Sequence, residues 1–365
     1  MKRLTTEKIE RLIPYPPGKP IEELEREMGI TGSIKLASNE NPIGPSPMAV
    51  QAILNNVNKL NRYPDGSSYY LKEKLSELFA LPMQRIITGN GSNELIELTI
   101  RSFLSPGEEV IQAFPTFLVY EKVVNGAGGE LVSVDLKDFR IDLDNIKKAI
   151  TPKTKIIFVN NPNNPTGTGL SKEEMLDFIK AVPEDIIVVL DEAYIEFSSD
   201  KVAKGIELLD ERNRLIVLRT FSKLYGLAGL RVGYGFSSAE IVDYINRVRQ
   251  PFNANLLAQA AAVAALDDND FVTKTLNLVK DGFGYLYKNL DDMGLEYLPS
   301  ETNFFLIKVP SGAKNIYNLM LREGVIIRSM ESYGLSEYIR INVGLPEENE
   351  RFIKSLKKVI ESLEQ

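Results

Sequence analysis

The chain has 365 residues, a length that suits two domains, or one large domain with an appendage, better than a single small core. Hydrophobic residues make up 44% and charged residues 25%, ordinary for a soluble globular protein, and a net charge of -7 without a basic tract argues against nucleic acid or an anionic membrane as a partner. With no cysteine and no histidine, disulfides, thiolate nucleophiles, the serine–histidine relay and the usual zinc ligands are excluded, so acid–base chemistry falls to Lys, Asp, Glu or Tyr.

At the N-terminus, MKRLTTEKIERLIPYPPG carries early positive charge but no apolar segment behind it, so a signal peptide is not expected. The proline-rich IPYPPGKP suggests an arm lying on the surface. Apolar, β-rich runs follow with helical patterns between them: RIITG (85–89), EEVIQAF (108–114), ELVSVDL (130–136), TKIIFVN (154–160), DIIVVLD (185–191), RLIVLRT (214–220) and RVGYGF (231–236). Such alternation predicts an α/β fold with a mostly parallel sheet between helices. Ser171 with Glu174, and Ser237 with Glu240, have capping-box spacing at helix starts. After Pro251 come an alanine-rich helix, a long amphipathic helix to about Met293, and the short strands NFFLIKV, GVIIRSM and YIRINVG, a pattern that predicts a smaller α+β domain. The expected division is an N-terminal arm over 1–40 that joins the small domain, a large domain over 41–255 and the small domain over 256–365. LLAQAAAVAAL, the longest apolar stretch, has only about 11 residues and cannot span a bilayer, so a cytoplasmic protein is expected.

In an open parallel sheet, ligands bind beyond the carboxyl ends of the strands. After RIITG, Gly89 and Gly91 allow a tight turn and Ser92, Asn93 and Glu94 open a helix, either an ordinary capped turn or a phosphate seat at a helix N-terminus. Glu94 stands where a dinucleotide fingerprint needs its third glycine, and no GxxxxGK[ST] exists. NPNNPTGTG follows TKIIFVN, a plain turn or a site with Asn161, Asn163 and Asn164. Asp191 ends the most apolar strand and needs a partner, from the protein or from a ligand. Thr220 ends RLIVLRT and Ser222 and Lys223 follow at once, and Gly226 and Gly229 are expected to turn the chain so that Arg231 returns near Lys223, making an anion seat beside a candidate amine nucleophile.

NNPNNPTG, DEAYIEF and TFSKLYGLAGLRVGYG, in this order and spacing, resemble the fold-type I pyridoxal-phosphate aminotransferases. SNENPIG (38–44), RYPDG (62–66), FPTF (114–117), VRQPFNAN and YIRINVG are similar to the branch of that family that acts on histidinol phosphate, and the resemblance runs from about Tyr15 to Val343. It implies that Lys223 forms a Schiff base with pyridoxal 5'-phosphate and moves the substrate proton, that Asp191 pairs with the pyridine nitrogen, and that Asn164 and Tyr194 bond the ring hydroxyl. Phe117 would stack on the ring, where many relatives carry tyrosine. Ser92, Asn93, Thr220, Ser222 and Arg231 would hold the phosphate, with Tyr63 reaching it from the partner subunit of a homodimer. Tyr15, Asn39, Arg328 and Arg340 would contact substrate. The implied reaction is ping-pong transfer of an amino group between histidinol phosphate and 2-oxoglutarate in histidine biosynthesis. An aromatic amino-acid aminotransferase or a threonine-phosphate decarboxylase shares the cofactor motifs, a non-catalytic regulator of this fold would need a DNA-binding extension, and no metal is expected.

Overall fold

In the computed structural model, residues 3–14 and 18–363 are described. Runs that are apolar at every position need cover on both faces, and these form the centre of one sheet. Its strands are β1 (Ile86–Gly89), β2 (Glu109–Phe114), β3 (Glu130–Asp135), β4 (Thr154–Asn160), β5 (Ile187–Asp191), β6 (Leu215–Thr220) and β7 (Gly233–Phe236). The sheet has seven strands in the order β1-β7-β6-β5-β4-β2-β3. Only β7 runs against its neighbours β1 and β6. This is the expected fold class. Because β1, β4, β5 and β6 all point the same way, Gly89, Asn160, Asp191 and Thr220 arrive together at one edge.

Side chains alternate between faces along a strand, so β5 sends Val188 and Leu190 into one core and Ile187 and Val189 into another. Helix Lys172–Ala181 covers the first face with Met175, Phe178 and Ile179, while helices Ser92–Phe103 and Ala239–Val248 cover the second with residues such as Leu95, Ile96, Ile241 and Ile245. The Ser171–Glu174 capping box forms in both directions. Its counterpart at 237–240 does not: Ser238 is the N-cap, accepting from the Ile241 N–H, and Ser237 is drawn inward, where its hydroxyl donates to the Leu215 carbonyl at 2.6 Å.

A second, smaller core gathers Phe305, Ile307, Ile339 and Ile341 from an antiparallel sheet against helices Asn269–Asp292, Ala313–Arg322 and Pro346–Glu361. Leu36 joins this core, and Ile34–Lys35 pairs in parallel with Val325–Ile326. The alanine-rich helix Leu256–Ala265 buries Ala258, Ala261, Ala262 and Ala265 in the large core, because side chains of one carbon let it lie close against its neighbours there. Among the described residues, no helix is long and apolar enough to cross a membrane.

Candidate active site

The carboxyl edge of the large sheet opens into a cavity of about 420 Å³. Ser92 and Asn93 line it from the start of a helix, Asn160, Asn164 and Asp191 from the ends of β4 and β5, and Thr220, Ser222, Lys223 and Arg231 from the β6–β7 connection. Phe117 and Tyr194 close its sides.

Asp191 is 2% exposed. The Tyr120 hydroxyl donates to its Oδ2 at 2.7 Å and the Ala193 N–H to its Oδ1 at 3.2 Å. Burial pushes this carboxyl up to about 6 despite those two donors. Among the described residues no lysine or arginine is ion-paired with it, so the cavity presents a buried carboxylate short of a cation. Tyr120 itself is fixed by stacking on Phe158, 4.4 Å between centroids, and by an edge contact with Phe117. Asn160 steadies the same corner: its Nδ2 donates to the Asp191 carbonyl at 2.9 Å and its Oδ1 accepts from the Asn164 N–H at 2.8 Å.

Opposite lies a seat for an anion. Helix Ser92–Phe103 starts behind Gly91, whose φ of 81° belongs to the left-handed region open to glycine. A Cβ on Gly91 would lie 2.5 Å from Arg231 Nη2, so the missing side chain lets the guanidinium approach the free N–H groups of the helix. Arg231 also donates to Ser222 Oγ at 3.4 Å, and Thr220 Oγ1 accepts from the Ser222 N–H at 3.1 Å. The turn is made differently from the expectation. Gly226 (φ 67°) and Arg231 itself (φ 56°) take left-handed conformations, whereas Gly229 lies in a short 3₁₀ turn, Ala228–Leu230, without positive φ.

Lys223 stands between these two poles, its Nζ donating to the Ser38 carbonyl at 3.2 Å and lying 5.5 Å from the Tyr194 ring centroid. Burial raises the Tyr194 phenol above its ordinary value, which keeps its proton in place. Its oxygen accepts from Asn39 Nδ2 at 3.0 Å and, at 3.5 Å, from Asn164 Nδ2. Arg340 donates to Asn164 Oδ1 at 2.5 Å and to the Ala37 carbonyl at 3.1 Å, so the small sheet reaches the cavity through Asn164.

The expected cofactor residues Ser92, Asn93, Phe117, Asn164, Asp191, Tyr194, Thr220, Ser222, Lys223 and Arg231 therefore share one cavity. Asn39 and Arg340 sit one hydrogen bond behind it, and Arg328 is the cross-strand neighbour of Arg340. Tyr63 is apart from the cavity of its own chain: it is 81% exposed and stacked on Phe252 at 4.7 Å. Tyr15 falls outside the described residues. Sequence reasoning passed over Asn160 and Tyr120. Asn160 ends β4, so the rule about strand ends could have found it; Tyr120 lies within a helix and carries no such signal.

Fold and site together define an aminotransferase, and the chain belongs to the aminotransferase class I and II family, whose model matches residues 31–356. Within it, the chain is 50% identical over 361 residues to the histidinol-phosphate aminotransferase of Desulfotalea psychrophila, covering 98% of this chain and 95% of that protein. It is 46% identical to histidinol-phosphate aminotransferase 2 of Carboxydothermus hydrogenoformans, covering 97% and 99% of the two chains. Among solved structures, histidinol-phosphate aminotransferase from Sinorhizobium meliloti in complex with pyridoxal-5'-phosphate is similar, with a TM-score of 0.90, 30% identity, and coverage of 99% of this chain and 98% of that one.

Proposed function

We propose that the chain is a pyridoxal 5'-phosphate-dependent enzyme that transfers an amino group between histidinol phosphate and 2-oxoglutarate. The observation that carries this is the polarity of the cavity: a buried carboxylate in want of a cation at one end, an anion seat of helix N–H groups and Arg231 at the other, and an amine between them. Pyridoxal phosphate has matching parts in the same order, a protonatable ring nitrogen, an aldehyde and a phosphate, and when bound it supplies an electron sink for the substrate carbanion.

Asp191 would hold a proton on the ring nitrogen, a pairing that its burial would strengthen. Asn164 and Tyr194 would hold the ring hydroxyl, and Phe117 would lie against the ring. With no histidine in the chain, the Lys223 amine is the base in reach of the substrate α-carbon and carries its proton. Arg340, held by two neutral oxygens, is placed to take a substrate carboxylate, with Arg328 and Asn39 beside it. We assign the enzyme to a homodimer with shared sites, in which the exposed Tyr63 serves the neighbouring subunit's phosphate seat, and place it in the cytoplasm within histidine biosynthesis. We divide the chain into an N-terminal arm over 1–40, a large domain continuing through the alanine-rich helix, and a small domain from the long helix onward.

The test is the visible absorbance of cofactor-loaded protein before and after histidinol phosphate is added without any keto acid. Conversion of the band to that of the aminated cofactor supports the reading. A band that persists with histidinol phosphate but converts with phenylalanine would move the substrate to the aromatic amino acids.

A further inference from the structure

We propose that the buried ion pair Glu192–Arg219 is a positioning pair that fixes the two strand ends carrying Asp191 and Thr220, and through them the spacing between the ring-nitrogen carboxylate and Lys223. The inference rests on the roles given above to those residues. Neither Glu192 nor Arg219 lines the cavity. Strand alternation explains why: each is the immediate neighbour of a cavity-facing residue, so each points to the opposite face of the sheet.

The contact is closed and directional. Arg219 Nε lies 2.9 Å from Glu192 Oε2, with side-chain exposures of 7% and 0%. Regular pairing of β5 with β6 ends at Asp191 opposite Leu218, and one further backbone bond follows, from the Glu192 N–H to the Leu218 carbonyl at 2.8 Å. The side-chain pair thus carries the cross-link past the last rung of the ladder, where the strands would otherwise be free to part. Both partners are anchored from behind. Glu192 Oε1 accepts from the Gly205 N–H, and the Arg219 guanidinium lies 5.2 Å from the Phe79 ring centroid. A buried ion pair adds little net stability over uncharged groups of like size, because desolvation offsets attraction. What it supplies is a fixed direction and length.

The experiment compares cofactor-loaded wild type, Arg219→Met, Glu192→Gln/Arg219→Met and Arg219→Lys. The double replacement removes both charges while keeping an acceptor for Gly205. We measure the unfolding midpoint, kcat and KM for the amino donor, the rate of cofactor release, and amide hydrogen exchange at residues 191–193 and 219–222. Arg219→Met leaves a buried carboxylate unpaired and lowers the midpoint. In the double variant the midpoint returns towards wild type, yet kcat stays about tenfold or more below it with KM within about twofold, and cofactor release and strand-end exchange remain faster. Return of kcat, release and exchange to wild-type values together with the midpoint overturns the proposal and leaves the pair a plain structural contact. Should the double variant not fold, Arg219→Lys decides, since it keeps the charge but not the forked geometry: wild-type kcat and release in that variant overturn the proposal equally. Failure of the underlying reading shows elsewhere, as wild-type protein that gives no half-reaction with histidinol phosphate, while the exchange comparison still reports on the strand ends.

Discussion

Glu196 offers the sharpest test of the interior electrostatics. The residue is only partly covered, but both carboxyl oxygens are sealed from solvent and neither has a hydrogen-bond partner. Burial pushes its carboxyl up from 4.5 to about 7, against the pull of Arg219, with Glu192 adding repulsion. The native state therefore holds a proton here that the unfolded chain releases near 4.5. Stability from this group is fully present below pH 4.5 and is lost as pH rises through 7. A rise of that size corresponds to about 3 kcal/mol at most, at 1.36 kcal/mol per unit. Glu196→Gln keeps the shape and removes the titration. It should match wild type within about 1 kcal/mol at pH 5 and exceed it by about 2–3 kcal/mol at pH 8.5. Urea unfolding followed by circular dichroism at the two pH values reads this directly. An unchanged pH slope, or a glutamine variant that is weaker at pH 8.5, would mean that the carboxylate is ionised and stabilised in the fold, and the reasoning would fail.

Lys223→Ala should keep the fold, bind cofactor more weakly and lose transamination; substantial turnover by that variant in a coupled assay would remove Lys223 from its role. Asp191→Ala should slow turnover by orders of magnitude, since an unprotonated ring stabilises negative charge poorly, and near-normal kcat would contradict the pairing. Gly91→Ala forces a Cβ to within 2.5 Å of Arg231 Nη2 at a φ of 81°, so cofactor affinity should drop about tenfold or more; titration of apoprotein with cofactor checks it, and unchanged affinity would show that the seat does not need that approach. Arg340→Gln should raise KM for glutamate far more than it lowers kcat, and steady-state kinetics showing the reverse would place the carboxylate elsewhere.

Much of this protein could be read from its residues in order. The seven β-rich runs became the seven strands of the large sheet: central strands are apolar throughout because both faces are covered, the edge strand Glu130–Asp135 alternates and stays half exposed, and both patterns are local. The rule that chemistry gathers at strand ends brought Asp191, Lys223 and Arg231 forward for the same reason: each stands next to a strand whose direction the sequence reveals. Helix starts were less certain. Spacing favours Ser237, three residues before Glu240, as the cap, but the buried Leu215 carbonyl, distant in sequence, draws it inward and leaves Ser238 at the helix start. The alanine-rich helix was assigned by its place in the chain, but its small side chains suit either core; close packing against the large one settled the matter. Tyr120 and the Glu192–Arg219 pair act through contacts across the sheet and between layers. The sequence by itself determined the strand pattern and the residues at strand ends, since alternation and apolar runs are properties of neighbours along the chain. Only the tertiary structure decided what lies behind those residues and holds them, because a hydrogen bond between positions 120 and 191, or between 192 and 219, exists only once the layers have packed.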